Sequence, residues 1–233
     1  MDESLVIKPF DIAIDVAGNA WVTGNESANI AQFDPEGNLI RNVSGDEATE
    51  AGFFLPMGVA SDNFGNVWVA NSGIITAPCD GNAVPNLKQI LFLTEDPNFT
   101  GANASIAKIT PDGTPIGPFK GGGILIPWGI AVDGDNNIWV SNFQGNTVTY
   151  LCGDNTDKCP PGVETGDPIA PEGYFFDGLA RSTAVEIDPS GNVWATNNWE
   201  IIASPENPGG KEMVVFIGLA KPVEAPLIGP PNN

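Results

Sequence analysis

Histidine is absent from all 233 residues. That excludes His-based general acid–base catalysis, Ser-His-Asp and Cys-His nucleophile systems, and any His-ligated metal. Basic residues are scarce: nine Lys plus Arg stand against 29 Asp plus Glu, a formal net charge of −20. Such a field repels phosphate backbones and anionic lipid, so no nucleic-acid partner is expected, and it attracts cations or basic partners. No apolar run reaches the roughly 18 residues of a membrane span, so no membrane insertion is expected. The first residues lack the basic and apolar regions of a secretory signal. The abrupt run into the first repeat reads as a trimmed start. Cysteine is rare, with Cys79, Cys152 and Cys159 only. Cys152 and Cys159 bracket a polar stretch and are candidates for a local disulfide, which implies an oxidising compartment. Cys79 is then the odd one, free or paired elsewhere, and the spacing matches no zinc site.

Glycine (28) and proline (21) are abundant, which favours many turns and few long helices. Internal repetition is the strongest signal present. Four segments share one pattern: Pro9–Gly24, Pro56–Asn71, Pro127–Asn142 and Ser182–Asn197. Their tryptophans, Trp21, Trp68, Trp139 and Trp194, fall in register, and only the connections differ in length. Each segment encodes a hairpin. A run such as Gly129-Ile-Ala-Val-Asp133 alternates at period two. Asp-x-x-Gly/Asn-Asn then tightens the turn, because Asp bonds its own backbone and Gly or Asn accepts positive φ. The second strand carries the Trp, an apolar body suited to packing between sheets. Third strands and further turns follow at Asn29–Ile40 and Ser105–Ile116, and unit 4 continues through Met213–Ile217 and Pro222–Ile228. One such unit cannot bury both faces, so units must stack around an axis. The fold predicted is an all-β β-propeller of four-stranded antiparallel blades over residues 1–233. A β-sandwich is the competing all-β reading. Only four repeats are readable, so a fragment of a six- or seven-bladed propeller, extra strands within the inserts and a small closed ring all stay open.

The phrase Pro-x-Gly-Ile-Ala-Val-Asp-x-x-Gly-Asn-x-Trp-Val-x-Asn resembles NHL repeats, especially those of the virginiamycin B (streptogramin) lyase family. The stretches 151–163 and 215–231 look like secreted bacterial NHL-type proteins. The resemblance implies the propeller fold over most of the chain. It does not carry the lyase chemistry, because that family's lyase depends on histidine together with a magnesium site. Gluconolactonase-type propellers, by resemblance, hold a divalent metal through Glu, Asn and Asp near the starts of inner strands. The matching positions here read Pro9-Phe-Asp, Pro56-Met-Gly, Pro127-Trp-Gly and Ser182-Thr-Ala, of which only Asp11 is acidic.

Propeller topology places the start of strand a and the end of strand b on one face, the top. Phe10, Met57, Trp128 and Thr183 start the a strands; Gly24, Asn71, Asn142 and Asn197 end the b strands. Amides beneath a partly apolar rim make a candidate seat for a small polar molecule, a glycan or a protein. The alternative is that each Asn shapes its turn. Long connections at 72–103, 166–181 (with Tyr174, Phe175 and Phe176) and 198–211 (with Trp199) are expected on the same face. The repeated Asp15, Asp62, Asp133 and Asp188 invite a calcium reading, but one Asp per blade does not supply the six to eight oxygens Ca²⁺ wants in one place. The favoured function is an extracellular binding or scaffold module, secreted, periplasmic or at the cell surface. The alternative is a metal-dependent lyase or lactonase/hydrolase holding Ca²⁺ or Mg²⁺ with oxygen ligands from Asp11, Asn71, Asn142, Asn197 and Glu186. Self-association through open blade edges is a third expectation.

Overall fold

The computed structural model describes residues 5–74, 101–197, 212–223 and 229–230. The predicted hairpins form where the repeats lie. Blade 1 holds β1 (Pro9–Ile14), β2 (Ala20–Gly24), β3 (Asn29–Phe33) and β4 (Leu39–Val43). A short helix, α1 (Gly45–Glu50), leads to blade 2, with β5 (Pro56–Ser61), β6 (Val67–Asn71), β7 (Ser105–Ile109) and β8 (Pro115–Phe119). Blade 3 holds β9 (Pro127–Val132), β10 (Ile138–Asn142), β11 (Thr147–Leu151) and β12 (Tyr174–Phe175). Blade 4 holds β13 (Ser182–Ile187), β14 (Val193–Asn197) and β15 (Glu212–Phe216). Every sheet is antiparallel with neighbours in chain order. Of the expected last strand, Pro222 and Val223 are not strand, and residues 224–228 lie outside the described residues. No described helix is long and apolar enough to cross a membrane.

One aspartate builds each hairpin. In blade 2, Asp62 Oδ1 accepts the backbone N–H groups of Phe64 and Asn66, both at 2.9 Å. Its Oδ2 accepts Asn66 Nδ2 at 2.8 Å and Trp68 Nε1 at 3.0 Å. Asp15, Asp133 and Asp188 repeat the Trp bond at 2.8, 3.0 and 2.9 Å. The turn role predicted for these residues is therefore joined by a second one: each Asp satisfies the indole N–H that its Trp carries into the sheet-to-sheet layer. The fourth turn residue has positive φ throughout, as Gly18, Gly65, Asn136 and Gly191. Blade 3 varies the scheme. Asn137 Nδ2 donates to the Tyr150 hydroxyl instead, and Asn137 Oδ1 accepts Gly153 N–H.

The core is three copies of one joint. The Trp-bearing front of each blade packs on the aliphatic back of the next. Ala13 and Trp21 meet Val59, Val67 and Val69. Trp68, Ala70 and Ile106 meet Ile130, Val132, Ile138 and Val140. Ala131, Trp139 and Val148 meet Val185, Ile187, Val193 and Ala195. Close approach of the inner strands requires glycine. A Cβ on Gly129 would lie 2.7 Å from Ala184 Cα and 2.8 Å from Thr183 O, and one on Gly58 would strike Trp128 O. In the same register blade 1 has Asp11, whose Oδ2 accepts Val59 N–H of blade 2 at 3.0 Å.

Among the described residues, the two end blades are the more exposed ones. Trp21, Trp68 and Trp139 are at most 1% exposed, whereas Trp194 is 37% exposed. On the back of blade 1, Ile12 is 47% exposed, while its counterparts Val59, Ile130 and Val185 are buried.

Tyr174, expected in a top-face loop, is instead in the outermost strand of blade 3. Its ring stacks on Trp139 at 5.7 Å and reaches Phe216 of blade 4 at 6.3 Å. Strand pairing with β11 accounts for the difference, because it carries this segment to the outer edge of the sheet. The Cys152–Cys159 disulfide forms. Within its loop, Asp154 Oδ1 accepts Lys108 Nζ at 2.5 Å and Asp154 Oδ2 accepts Asn66 Nδ2 at 2.8 Å. The loop thus fastens blade 3 to blade 2.

Candidate functional site

Each a strand begins after a strained turn. Lys8, Leu55, Ile126 and Arg181 all have φ of 51°, in the left-handed region that such residues seldom adopt. The asparagines at the b-strand ends help to hold these turns. Asn142 Oδ1 accepts Leu125 N–H at 3.0 Å, and its Nδ2 donates to Thr147 O, Thr147 Oγ1 and Thr149 Oγ1. Asn197 Oδ1 accepts Ala180 N–H at 3.0 Å and its Nδ2 donates to Gly178 O. Asn71 differs. Its Nδ2 donates to Val69 O at 3.4 Å, and its buried Oδ1 has no hydrogen-bond partner among the described residues. The amides of Asn142 and Asn197 therefore serve their own lead-in turns, the alternative role that the repeat already allowed.

The strand-a starts do converge. Phe10 of blade 1 meets Trp128 of blade 3 edge-on, with ring centroids 5.7 Å apart. Trp128 stacks on Phe143 at 5.1 Å. Met57 of blade 2 is fully buried with Ile126 and Phe143, and Trp128 packs against this cluster. Met57 Sδ also accepts Asn25 Nδ2 at 3.2 Å. Phe10 is exposed, and Trp128 half-buried, so the cluster presents an aromatic rim above an apolar base. Arg181 lies over the Phe143 ring at 5.2 Å. Trp199 lies outside the described residues, as do Cys79 and residues 75–100 and 198–211 of the long connections.

Two carboxyls of the inner strands, Asp11 and Glu186, have raised pKa values. Burial raises the Asp11 pKa, although N–H groups of Val59 and Ile12 oppose the shift. Glu186 is solvent-accessible, yet the surrounding protein pushes its pKa up to about 7, and the charge of Asp11 adds to the rise. The mutual repulsion puts the two groups, from blades 1 and 4, within electrostatic reach of each other. The hairpin aspartates behave differently. Burial raises Asp62 and Asp133 despite their hydrogen bonds, whereas Asp188, bonded by the Trp194 indole, falls to about 2.

Phe143 and Glu186 matter more than their residue types foretold. Phe143 follows a b strand where blades 1 and 2 have Asn25 and Ser72. That departure from the repeat was the only signal available. Glu186 replaces the Ala of the other three blades (Ala13, Ala60 and Ala131).

Among the described residues no group of three Asp, Glu or Cys side chains could hold an ion. The amide oxygens of Asn142 and Asn197 already accept backbone N–H groups. Two of the three expected asparagine oxygens are thus engaged in turns, so Ca²⁺ or Mg²⁺ would need most of its oxygens from elsewhere.

No protein-family model matches the chain. No curated protein matches it. Solved structures do. One is a catalytically inactive virginiamycin B lyase from Staphylococcus aureus solved with quinupristin, with TM-score 0.54 and 15% identity, over 92% of this chain and 57% of that one. Another is a gluconolactonase from Xanthomonas campestris, with TM-score 0.55 and 14% identity, over 91% of this chain and 59% of that one. A putative gluconolactonase gives TM-score 0.55 and 14% identity, over 98% of this chain and 68% of that one. The chain has the β-propeller fold. It spans less than three fifths of the length of the lyase structure. At such identities the likeness is one of fold, and activity has to be argued from the site.

Proposed function

We propose that this chain is a binding module whose ligand is a small organic cation seated at the top of the propeller. The observation that carries the reading is the convergence of Phe10 and Trp128, from blades 1 and 3, with Asp11 next to Phe10 in the chain and Glu186 feeling the charge of Asp11. An aromatic face attracts a cation through its quadrupole, and an adjacent carboxylate adds charge. The net charge of −20 raises the local concentration of cations around the mouth. The Cys152–Cys159 disulfide supports an oxidising compartment, so the module acts in a secreted, periplasmic or surface setting.

Tryptophan fluorescence during titration with benzyltrimethylammonium, glucose and Ca²⁺ tests the reading. The expected result is saturable quenching by the ammonium probe, abolished in Trp128→Ala and weakened in Glu186→Gln. Response to glucose alone would move the assignment to a glycan. Response to Ca²⁺ alone would revive the metal-enzyme reading. No saturable response from any probe overturns the cation assignment.

A further inference from the structure

Two neighbouring joints each set a cation over a tryptophan, and only one of them supplies its carboxylate. Between blades 2 and 3, Lys108 Nζ lies 5.6 Å from the Trp68 ring and meets Asp154 Oδ1 at 2.5 Å. Asp154 comes from the β11–β12 connection of the next blade, where the Cys152–Cys159 loop has the length to reach across. Between blades 1 and 2, the Arg41 guanidinium of β4 lies 6.0 Å from the Trp21 ring. The corresponding β7–β8 connection of blade 2 is a tight turn, closed by Gly113 N–H on Thr110 O and by Thr110 N–H on Thr114 O. Its Asp112 is held inside the turn, where Oδ1 accepts the Thr110 hydroxyl and the Thr114 N–H. At Gly113 the missing Cβ leaves room for Arg41 Nη1. Among the described residues Arg41 forms no ion pair, whereas Lys8, Lys108 and Lys158 each do. Its register neighbour Gln32 gives Nε2 to Asp15, and the buried Gln32 Oε1 has no hydrogen-bond partner among the described residues. The guanidinium is therefore not spent on that amide either.

Arg41, Asn42, Ser44, Glu47, Asp112 and Gly113 line a cleft of about 340 Å³, a size that suits a small molecule. We propose that this cleft binds a small basic amino acid, with its carboxylate on Arg41 and its cations on Asp112 and Glu47. The pairing of Lys108 with Asp154 is the precedent within the same molecule: a cation over the blade's Trp takes a carboxylate from the far side of the joint. A guanidinium takes one through two parallel N–H bonds. Ser44 Oγ accepts Asn42 Nδ2 at 3.2 Å, which leaves its own proton to donate. Among the described residues both Asp112 bonds end on Oδ1, which leaves Oδ2 for an ammonium. One guanidinium against two carboxylates makes the cleft net negative, so it selects a ligand with more positive than negative charge and disfavours a simple anion. The cleft lies along the outermost strand of blade 1 and the mouth at the innermost strands, so this inference is independent of the ligand assigned to the mouth.

The test is a residue-resolved titration of the full chain, following backbone amide resonances as L-lysine is added to about 10 mM, a range that captures weak binding. Two further probes each lack one half of the ligand: cadaverine has no carboxylate and acetate has no cation. The expected result is saturable shifts at Ser44, Asp112 and Gly113 with lysine, and binding at least about tenfold weaker for either partial probe. Arg41→Gln weakens lysine binding by at least about tenfold while the rest of the spectrum is kept. Should that variant unfold, the exposed pair Glu47→Gln and Asp112→Asn gives the same loss. Shifts confined to mouth residues such as Gly129 and Thr183 overturn the cleft assignment. So does cadaverine matching lysine, because Arg41 then reads no carboxylate, or acetate matching lysine, because the acids then read no cation. Undiminished binding in the variants, or no saturable shift with lysine, overturns it as well.

Discussion

Blades 2 and 4 carry the same hairpin and differ in what covers it. Asp62 and Trp68 lie in the dark of an inter-blade joint, and Asp188 and Trp194 make the same bond at the surface. The pKa directions record the difference: burial lifts Asp62, whereas the bonds to Asp188 act with little burial against them and lower it. The same Asp–Trp motif thus acquires different energetic weight from its surroundings. The hairpin motif supplies geometry, and the next blade supplies stability.

That contrast can be broken by mutation. Trp68→Ala should cost about 3–5 kcal/mol, the range for large aromatic deletions in a core. Trp194→Ala should stay within about 1 kcal/mol, as for most surface changes. Thermal unfolding of both variants decides it, and equal losses would mean that the front of blade 4 is already covered.

Gly129→Ala should destabilise by about 1–3 kcal/mol, because its Cβ would press on the backbone of blade 4. Ala184→Gly should cost under about 1 kcal/mol, from backbone entropy. Denaturant midpoints would resolve the pair; a harmless Gly129→Ala would show that the inner strands can part.

Replacing Asp154 by Ala leaves Lys108, packed over the Trp68 ring, without its carboxylate. A loss of about 1–3 kcal/mol is expected, the cost of an unsatisfied, mostly buried polar group. The Cys152→Ser, Cys159→Ser double variant should lose stability in the same direction, with hydrogen exchange rising in both blade 2 and blade 3. Exchange confined to the loop would show that it staples nothing.

The smallest effect concerns pH. The folded pKa of Glu186, about 7, lies above its ordinary 4.5, so between those values the folded state binds more protons than the unfolded state. Stability from this group is fully present below about 4.5 and is lost as pH rises through about 7. Glu186→Gln should flatten that slope in a melting-temperature series. Binding of an ammonium probe should run the opposite way and weaken as pH falls through the same window. A slope unchanged in Glu186→Gln would place the titration elsewhere.

Much of the fold was legible because the repeat writes its turn chemistry into side chains. Asp, a positive-φ Gly or Asn, and Trp recur at fixed offsets, and each acts within a few residues of itself. The convergence of Phe10, Met57 and Trp128 was also foreseeable, since topology alone brings strand starts to one face. The use of the asparagines was open from sequence, because an amide that can bind a ligand can equally hold a turn. Tyr174 was misplaced because a two-residue strand leaves no periodic trace.

By itself, the sequence determined the blade, its hairpin and its turn-forming aspartates, since these depend on contacts between residues close in the chain. Only the tertiary structure decided which tryptophans are buried, which carboxyls resist ionisation and which rings converge. Those properties depend on the sheet that packs in front, and four nearly identical repeats cannot say which of them has a neighbour.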